Sequence, residues 1–190
     1  MMMQYSQSGN VWVDVGLAVM CELVGVDTIE DLSEAHLPEI ATTLEAIYTE
    51  DHPGWKSYLA MIFPNSAFQQ ARIKPDTIRA HTDRVLYGWQ DDVDVFDRPC
   101  MFFPHMEGRI EADRSIVPLL NGVGMMNFSP NGEGFYISGL ALLAIHAMPL
   151  AGVKVGSRVL LIHELRCERF PHFRFSHSPP AGPVNHGRPE

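Results

Sequence analysis

The sequence lacks the patterns that mark a metal site, a secretion signal or a membrane span. Its three cysteines (Cys21, Cys100 and Cys167) stand far apart, and no Cys-x-x-Cys or His-x-x-x-His pair occurs. Scattered, odd-numbered thiols are typical of a reducing compartment and supply no zinc ligand set. There is no apolar run of about 18 residues, and the N-terminus lacks a basic region. We therefore expect a cytoplasmic protein with no membrane contact, no metal and no cofactor.

Basic residues are also scarce. The chain has 14 Lys and Arg against 23 Asp and Glu, a formal net charge of −9. Phosphate contacts need Lys and Arg, so composition alone predicts a soluble acidic protein that binds nucleic acid poorly by itself. Only residues 154–190 are locally basic, with six basic and three acidic residues.

Caps and turns predict the first element. Residues 11–13 have the apolar character of a short strand, and Asp14 is a plausible N-cap for a helix over residues 15–24. Gly25 then stands where a helix commonly ends in a left-handed residue. Pro38 suits the first turn of a second helix, which the turn signal at residues 52–54 would end.

Apolar spacing and composition predict the remaining elements. The second helix should bury Leu37, Ile40, Leu44 and Ile47 on one face. Further predictions are an amphipathic helix over residues 75–89, a short strand over 125–128, an apolar helix over 137–148, a loop over 149–156 and a buried strand over 158–163. We expect an α+β fold, a mixed single domain of several helices and a small sheet over residues 1–175, followed by a flexible Pro/Gly-rich tail over 176–190.

Catalytic patterns are weak. Cys100 follows a proline and precedes Met101 and two aromatic residues, which favours a buried, inert thiol over a reactive thiolate. A small hydrolase using Cys100 with a distant histidine is nevertheless the alternative from another functional class. The acidic run at residues 91–97 is typical of a solvated loop, and His146 of a satisfied core histidine. A lone Gly-x-Gly at residues 132–134 is weak support for an anion site.

Two blocks of the sequence resemble a known family. The first is GNVWVDVGLAVM at residues 9–20. The second comprises PLLNG at 118–122, NFSPNG at 127–132 and LLAIHAMPLAGVKVGSRVLLIH at 142–163. Both are similar to the N-terminal half of the large subunits of type I-B CRISPR effector (Cascade) complexes. There, a loop of the form Asn-Phe-x-Pro-x-Gly precedes a helix of the form Leu-Leu-Ala-Leu-Gln-Ala-x-Pro-Leu.

The chain departs from that family in two respects. Members often carry two Cys-x-x-Cys pairs that form a zinc-ribbon-like clamp, whereas the matching positions here are Cys100, Phe103, Ser138 and Ala141. One thiol of four cannot hold tetrahedral zinc, so we expect a degenerate zinc-ribbon-like region closed by apolar packing of Phe102, Phe103 and Leu140. The sequence also lacks the C-terminal helical bundle, which suggests a short form whose bundle is a separate small subunit.

The resemblance implies a non-catalytic subunit of an RNA-guided surveillance complex that contacts the crRNA 5′ end and recognises the protospacer-adjacent motif of target double-stranded DNA. Implied partners are the backbone and crRNA 5′-end subunits of Cascade and a recruited nuclease-helicase, or transposition proteins if the complex guides a transposon. A purely structural assembly subunit without DNA contact is a third possibility. The candidate nucleic-acid contacts are Asn10, Asn127, Asn131, Gly132, Lys154 and Arg158.

Overall fold

The first helix begins earlier than the sequence predicts. In the computed structural model, which describes residues 6–50, 52–70, 72–90, 98–118 and 134–162, helix α1 spans Val11–Val24. Its N-cap is Asn10, whose Oδ1 accepts hydrogen bonds from the amides of Trp12 (3.0 Å) and Val13 (3.4 Å). The predicted strand over residues 11–13 and the predicted cap at Asp14 are therefore wrong. Gly25 does end the helix, with a left-handed φ of 70°.

Asp14 has a different structural role. Its carboxylate is buried and accepts hydrogen bonds from the Ser8 amide (2.6 Å), the Ser8 hydroxyl (2.7 Å) and the Gly9 amide (3.0 Å). Because these donors precede the helix in sequence, Asp14 fixes the entering chain against the first turn of α1. A buried carboxylate needs such partners to offset its desolvation.

Three further helices follow along the chain. Helix α2 spans Leu37–Thr49, α3 spans Pro53–Ile62 and α4 spans Pro75–Leu86. Helices α2 and α4 were predicted, although α4 ends before the predicted boundary at residue 89, whereas α3 was not predicted. Three of the four apolar positions predicted for α2 are buried, and Ile47 is half-buried. Pro53, part of the turn signal predicted to end α2, is the first residue of α3. Short 3₁₀ turns occur at Ile29–Asp31, Glu34–His36 and Ala67–Gln69.

The last helix is buried on every side. Strand β1 (Ile110–Glu111) pairs antiparallel with β2 (Tyr136–Ile137), and helix α5 (Gly139–Ala147) follows directly. Every residue of α5 is buried, with Ser138 as its N-cap. The helix thus begins two residues later than predicted, because Ile137 belongs to β2. A 3₁₀ turn at Met148–Ala151 lies where a loop was predicted.

Helix α5 is the centre around which α1, α2 and α4 pack. The closest approach is at Gly16, where an added Cβ would lie 1.8 Å from the carbonyl oxygen of Ala144. Only a residue without a side chain allows the two helix backbones to come this close. The buried side chains of all four helices form one continuous hydrophobic core.

A β-hairpin ends the described chain. Strands β3 (Val153–Val155) and β4 (Arg158–Leu160) pair antiparallel, with Gly156 at a left-handed φ of 61° in the turn. The predicted buried strand over residues 158–163 is wrong in its burial, because Arg158 and Leu160 are exposed and only Val159 and Leu161 pack against the core. The fold is mixed α+β, as predicted, and no helix of the described ranges is long and apolar enough to cross a bilayer.

Candidate nucleic-acid interface

The six candidate contacts are divided between described and undescribed parts of the chain. Asn10 precedes α1, Lys154 lies on β3 and Arg158 lies on β4. Asn127, Asn131 and Gly132 lie outside the described residues, as do the predicted strand at 125–128, the acidic run at 91–97 and the tail at 176–190.

The side-chain oxygen of Asn10 has a structural role, whereas its Nδ2 group is not used in the helix cap. Its Oδ1 is committed to capping α1, through the amides of Trp12 and Val13. Any contact with nucleic acid would therefore have to come from the Nδ2 amine, a donor suited to base acceptors or phosphate oxygens. The cap and the proposed contact can be separated by substitution, because serine caps a helix but has no amine.

Lys154 and Arg158 share a hairpin but lie on opposite faces of it. Arg158 is the cross-strand partner of Val155, whereas Lys154 is the partner of Val159, and partners in an antiparallel pair share a face. Lys154 lies on the inner side, and its Nζ donates a hydrogen bond to Ser57 Oγ of α3 at 3.3 Å. Arg158 is on the solvent side. The two cations therefore do not form one phosphate-binding patch.

The other three candidates lie in segment 119–133, and the described residues on either side of this segment are held in the fold. On the N-terminal side, Ile116 and Val117 are 0% and 2% exposed. On the C-terminal side, Phe135 accepts a hydrogen bond from the Ala112 amide at 2.7 Å, and Ile137 pairs with Ile110. The residues that flank the segment are therefore held to each other through the β1–β2 pair, immediately before the buried helix α5.

The positions that match the family's zinc clamp lie next to each other. The amide of Ser138 donates a hydrogen bond to Cys100 Sγ at 3.1 Å, and the Met101 amide donates to the carbonyl of Tyr136 at 2.8 Å. Phe103 and Leu140 are 2% and 5% exposed and belong to the common core, against which the half-buried Phe102 also packs. The two segments are thus joined by hydrogen bonds and apolar packing.

These clamp positions do not fit a zinc ion. Cys100 supplies one thiol, whereas Phe103, Ser138 and Ala141 supply no ligand of the kind that structural zinc uses. Across the described ranges, no three His, Cys, Asp or Glu side chains are grouped so that they could hold a metal. A zinc-ribbon-like arrangement, which formed part of the predicted fold, is not seen in these residues.

Cys100 is poorly placed to act as a nucleophile. Its side chain is 1% exposed, and its sulfur accepts the hydrogen bond from Ser138. A catalytic thiol must reach its substrate as a thiolate in a partly exposed, electropositive setting. This geometry favours the structural role over the cysteine-hydrolase alternative.

A cavity of about 570 Å³ opens beside the first turn of α5, and no sequence pattern predicted it. Its lining brings together residues far apart in the chain, including Trp89, His105, Arg109 and Ser138. Arg109 Nη1 donates to the Gln90 carbonyl at 2.9 Å. The acidic side chains Glu34 and Glu107 also line the cavity, so two carboxylates face the single guanidinium of Arg109. This acidic excess disfavours a phosphate as an occupant.

The prediction that His146 is a satisfied core histidine is confirmed for its burial only, because among the described residues its Nε2 has no hydrogen-bond partner. The ring is 0% exposed, stacks on Phe63 with centroids 4.8 Å apart, and its Nδ1 lies 2.9 Å from the Leu142 carbonyl oxygen, to which it donates. Burial lowers the pKa of His146 to about 3. Burial and the nearby Arg84 lower the pKa of His81 to about 4, and His81 Nε2 lies 2.9 Å from Ser66 Oγ.

Comparison of the chain with protein-family models, with curated proteins and with solved structures gave no match in any of the three. The likeness to CRISPR large subunits therefore rests on the two sequence blocks alone.

Proposed function

We propose that the chain is a non-catalytic subunit of an RNA-guided type I CRISPR surveillance complex. In this role it contacts the 5′ end of the crRNA and recognises the protospacer-adjacent motif in target DNA. The observation that carries the proposal is the contact between Cys100 and Ser138, 3.1 Å from sulfur to amide nitrogen. These residues match the two halves of the family's clamp, and they meet although three of the four thiols are absent.

A second contact supports the same assignment. The first resemblance block lies on α1 and the second includes most of α5, and the two helices meet where Gly16 faces the Ala144 carbonyl. Residues 13–16 match the Val-Asp-x-Gly of the family's opening segment. In this chain the aspartate fixes the entry to α1 and the glycine permits the close approach, so both motif residues have a physical reason to be there.

The mechanism of motif recognition is assigned to the segment 119–133. Asn127 and Asn131 offer amide groups that can pair with base edges, and Gly132 allows a close backbone approach. Base recognition is more precise when the recognising segment is attached to rigid elements of the fold. The residues that flank this segment are held by the β1–β2 pair. A short motif is enough, because base pairing with the guide reads the remaining sequence.

The acidic composition limits how much affinity this subunit contributes alone. With a net charge of −9, it would repel a polyanion at long range. Lys154 is the exposed cation best placed for a phosphate contact, since its ammonium is held beside Ser57 on the surface. Most phosphate contacts, and most of the salt dependence of binding, would then come from the other subunits of the complex.

The role in the assembly is tested by co-purification from the native host. A tagged copy should recover a short RNA of defined 5′ sequence together with several partner proteins in fixed ratio. A nuclease-helicase among the recruited proteins would indicate target destruction, and transposition proteins would indicate a transposon-guiding complex. A free monomer that recovers neither RNA nor partners would reject the proposal.

The role of the segment is tested by Asn131→Ala in the purified complex. We expect at least tenfold weaker binding to duplex DNA that carries the motif, with subunit composition unchanged, because one bidentate amide–base contact is lost. The matched control is Asn65→Ala, in a loop outside both resemblance blocks, which should bind as the wild type does. If both variants bind matched and mismatched duplexes like the wild type, the segment does not read the motif.

Asn10 is tested by a pair of substitutions. Asn10→Ser keeps an oxygen that can cap α1 and removes the Nδ2 donor, whereas Asn10→Ala removes both. If Nδ2 contacts nucleic acid, the serine variant should bind RNA or DNA more weakly at unchanged stability. If Asn10 only caps the helix, binding should be unaffected in the serine variant, and the alanine variant should lose about 1 kcal/mol of stability.

A further inference from the structure

The outer face of the β3–β4 hairpin is almost entirely aliphatic. Strand alternation and the cross-strand pairing place one set of side chains on this face, and they are exposed by about half: Val153 (53%), Val155 (57%), Leu160 (54%) and Ile162 (61%). In the described residues, the remaining large hydrophobic side chain with comparable exposure is Met101, at 47%. The hairpin therefore concentrates the exposed apolar side chains of the molecule.

Such a face is unusual for a sheet with one side on the core. The inner side of the hairpin already packs on the protein through Val159 and Leu161. Antiparallel sheets of this kind usually have polar residues on the other side, and strands that are apolar on both sides are typical of sheets covered on both sides. An exposed aliphatic patch of this kind marks an interaction site.

The charge around this face limits what can cover it. Residues 134–162 contain no Asp or Glu, whereas the whole chain has 23. Arg158 stands within the aliphatic row, paired across the strands with Val155. A partner that covered Arg158 with apolar groups alone would leave a buried, unpaired guanidinium, which is costly. The partner must therefore bring a carboxylate to this point.

A second copy of this chain does not meet that requirement. Symmetric pairing of the two outer faces would bring the Arg158 guanidinium groups towards each other. A face of four half-exposed aliphatic side chains is also small beside the ~800 Å² per partner of a standard stable interface. Residues 163–175 of the chain fit poorly as well, because they carry three arginines against two glutamates.

Nucleic acid is a weaker match than protein. Single-stranded nucleic acid binds to aromatic stacking platforms with several cations along the backbone. The outer face offers aliphatic side chains and one guanidinium, and Lys154 lies on the opposite face. These features suit an extended peptide that lays an apolar row on the hairpin.

We propose that the outer face of the hairpin is a docking site for another protein. The part that docks is an extended segment whose apolar side chains form one row, interrupted by an Asp or Glu that pairs with Arg158. Val153, Val155, Leu160 and Ile162 contact the apolar row, and the Arg158–carboxylate pair sets its register. This inference does not depend on the CRISPR assignment.

The test uses the full chain and two synthetic peptides of ten residues. In the first, Val or Ile alternates with Ser or Thr, and a central Glu stands in the apolar row. In the second, Lys replaces that Glu. Fluorescence anisotropy should show the Glu peptide binding at least tenfold more tightly at low salt, and Arg158→Glu should reverse the preference. This comparison includes the unaltered protein, so it does not rely on any variant folding.

Leu160→Thr tests the apolar part of the site. The side chain faces away from the core, so thermal unfolding should be unchanged while affinity for the Glu peptide falls at least tenfold. The matched control is Met101→Thr, which removes an equally exposed apolar side chain elsewhere and should bind as the wild type does.

Four results would overturn the proposal. The first is equal binding of the two peptides by the unaltered protein. The second is a dimer, measured by sedimentation, that Leu160→Thr dissociates, which would make a second copy the occupant. The third is peptide binding only after the chain is cut behind residue 162, which would assign the face to residues 163–175. The fourth is a result in which neither the unaltered protein nor Leu160→Thr binds the peptides, while the unaltered protein binds a 20-nucleotide single-stranded RNA and Leu160→Thr does not.

Discussion

His146 shows how one residue in the core makes the stability of the whole protein depend on pH. It lies on the most buried helix, between the aromatic rings of Tyr48 and Phe63. Its Nδ1–H is used by the Leu142 carbonyl, and among the described residues no group accepts from or donates to its Nε2. Protonation would place a charge in this apolar site, where the charge of His81 would also oppose it. Folding therefore selects the neutral ring.

The sign of the resulting pH dependence follows from linkage. In the unfolded chain a histidine takes up a proton near pH 6.5, whereas in the folded protein the pKa of His146 is about 3 and that of His81 about 4. Stability is fully present above pH 6.5 and falls as the pH drops towards 4. Each histidine contributes about 1.4 kcal/mol per pH unit, or on the order of 3 kcal/mol between pH 6.5 and 4.5.

We therefore expect His146→Gln to remove about half of the stability loss between pH 6.5 and 4.5. Glutamine is also the residue that the family helix has at this position. Urea unfolding followed by tryptophan fluorescence across this pH range measures how steeply the free energy of unfolding changes with pH. The test depends on this slope and not on the stability at neutral pH. The control is His105→Gln on the surface. An unchanged slope in His146→Gln would show that His146 is not the titrating group.

At the scale of elements, the fold depends on the approach of α1 to α5. Both helices are largely buried, and neither has the one-sided apolar pattern that would show from sequence which neighbour it packs against. Gly16 determines how closely they meet, because the space for its Cβ is occupied by the Ala144 carbonyl. Backbone atoms cannot move aside as a side chain can, so this contact tolerates little change.

Gly16→Ala should therefore destabilise the protein by about 3 kcal/mol or more, the upper part of the range for overpacked cores. Gly25→Ala is the matched control, since a Cβ there meets no atom within 4 Å and the cost comes from the left-handed backbone alone. That cost is about 1 kcal/mol. Urea unfolding of both variants gives the comparison, and equal losses would mean that the helices separate to accommodate alanine.

The elements that the sequence predicted well are those with local signals. Gly25 ends α1 as predicted, and Pro38 lies in the first turn of α2, because caps and turn residues act within a few residues. The start of α1 was misplaced because residues 11–13 are apolar on all sides, so no period separates helix from strand. Strand β3 was missed because residues 149–156 were predicted as a loop, and β4 was predicted as buried because its outer face has the composition of a covered one.

The candidate site was less predictable than the fold. Asn10 was chosen as a nucleic-acid contact, but its helix-capping role emerges only when the true start of α1 is known. Lys154 and Arg158 are close in sequence, yet the hairpin register places them on opposite faces. The cavity beside α5 joins residues as distant as Trp89 and Ser138, which no local pattern connects.

At the scale of the molecule, two segments distant in sequence are joined by hydrogen bonds and apolar packing. The chain from Cys100 to Phe103 lies against the start of α5 through the Ser138–Cys100 hydrogen bond, the Met101–Tyr136 hydrogen bond and shared core packing. Structural zinc needs four ligands and contributes much of the folding energy of small domains. Here the hydrophobic core extends through the joint, and we expect its apolar packing to take the place of that contribution.

The purified protein should accordingly contain no stoichiometric zinc, and EDTA should leave its melting temperature unchanged. Elemental analysis of protein produced in zinc-supplemented medium makes the measurement. The positive control restores the missing thiols with Phe103→Cys, Ser138→Cys and Ala141→Cys; because Cys100 and residue 138 already touch, this variant should acquire about one zinc per chain. One zinc in the unaltered protein, released by EDTA with loss of stability, would mean that ligands outside residues 100–141 complete the site and that apolar packing does not close the joint.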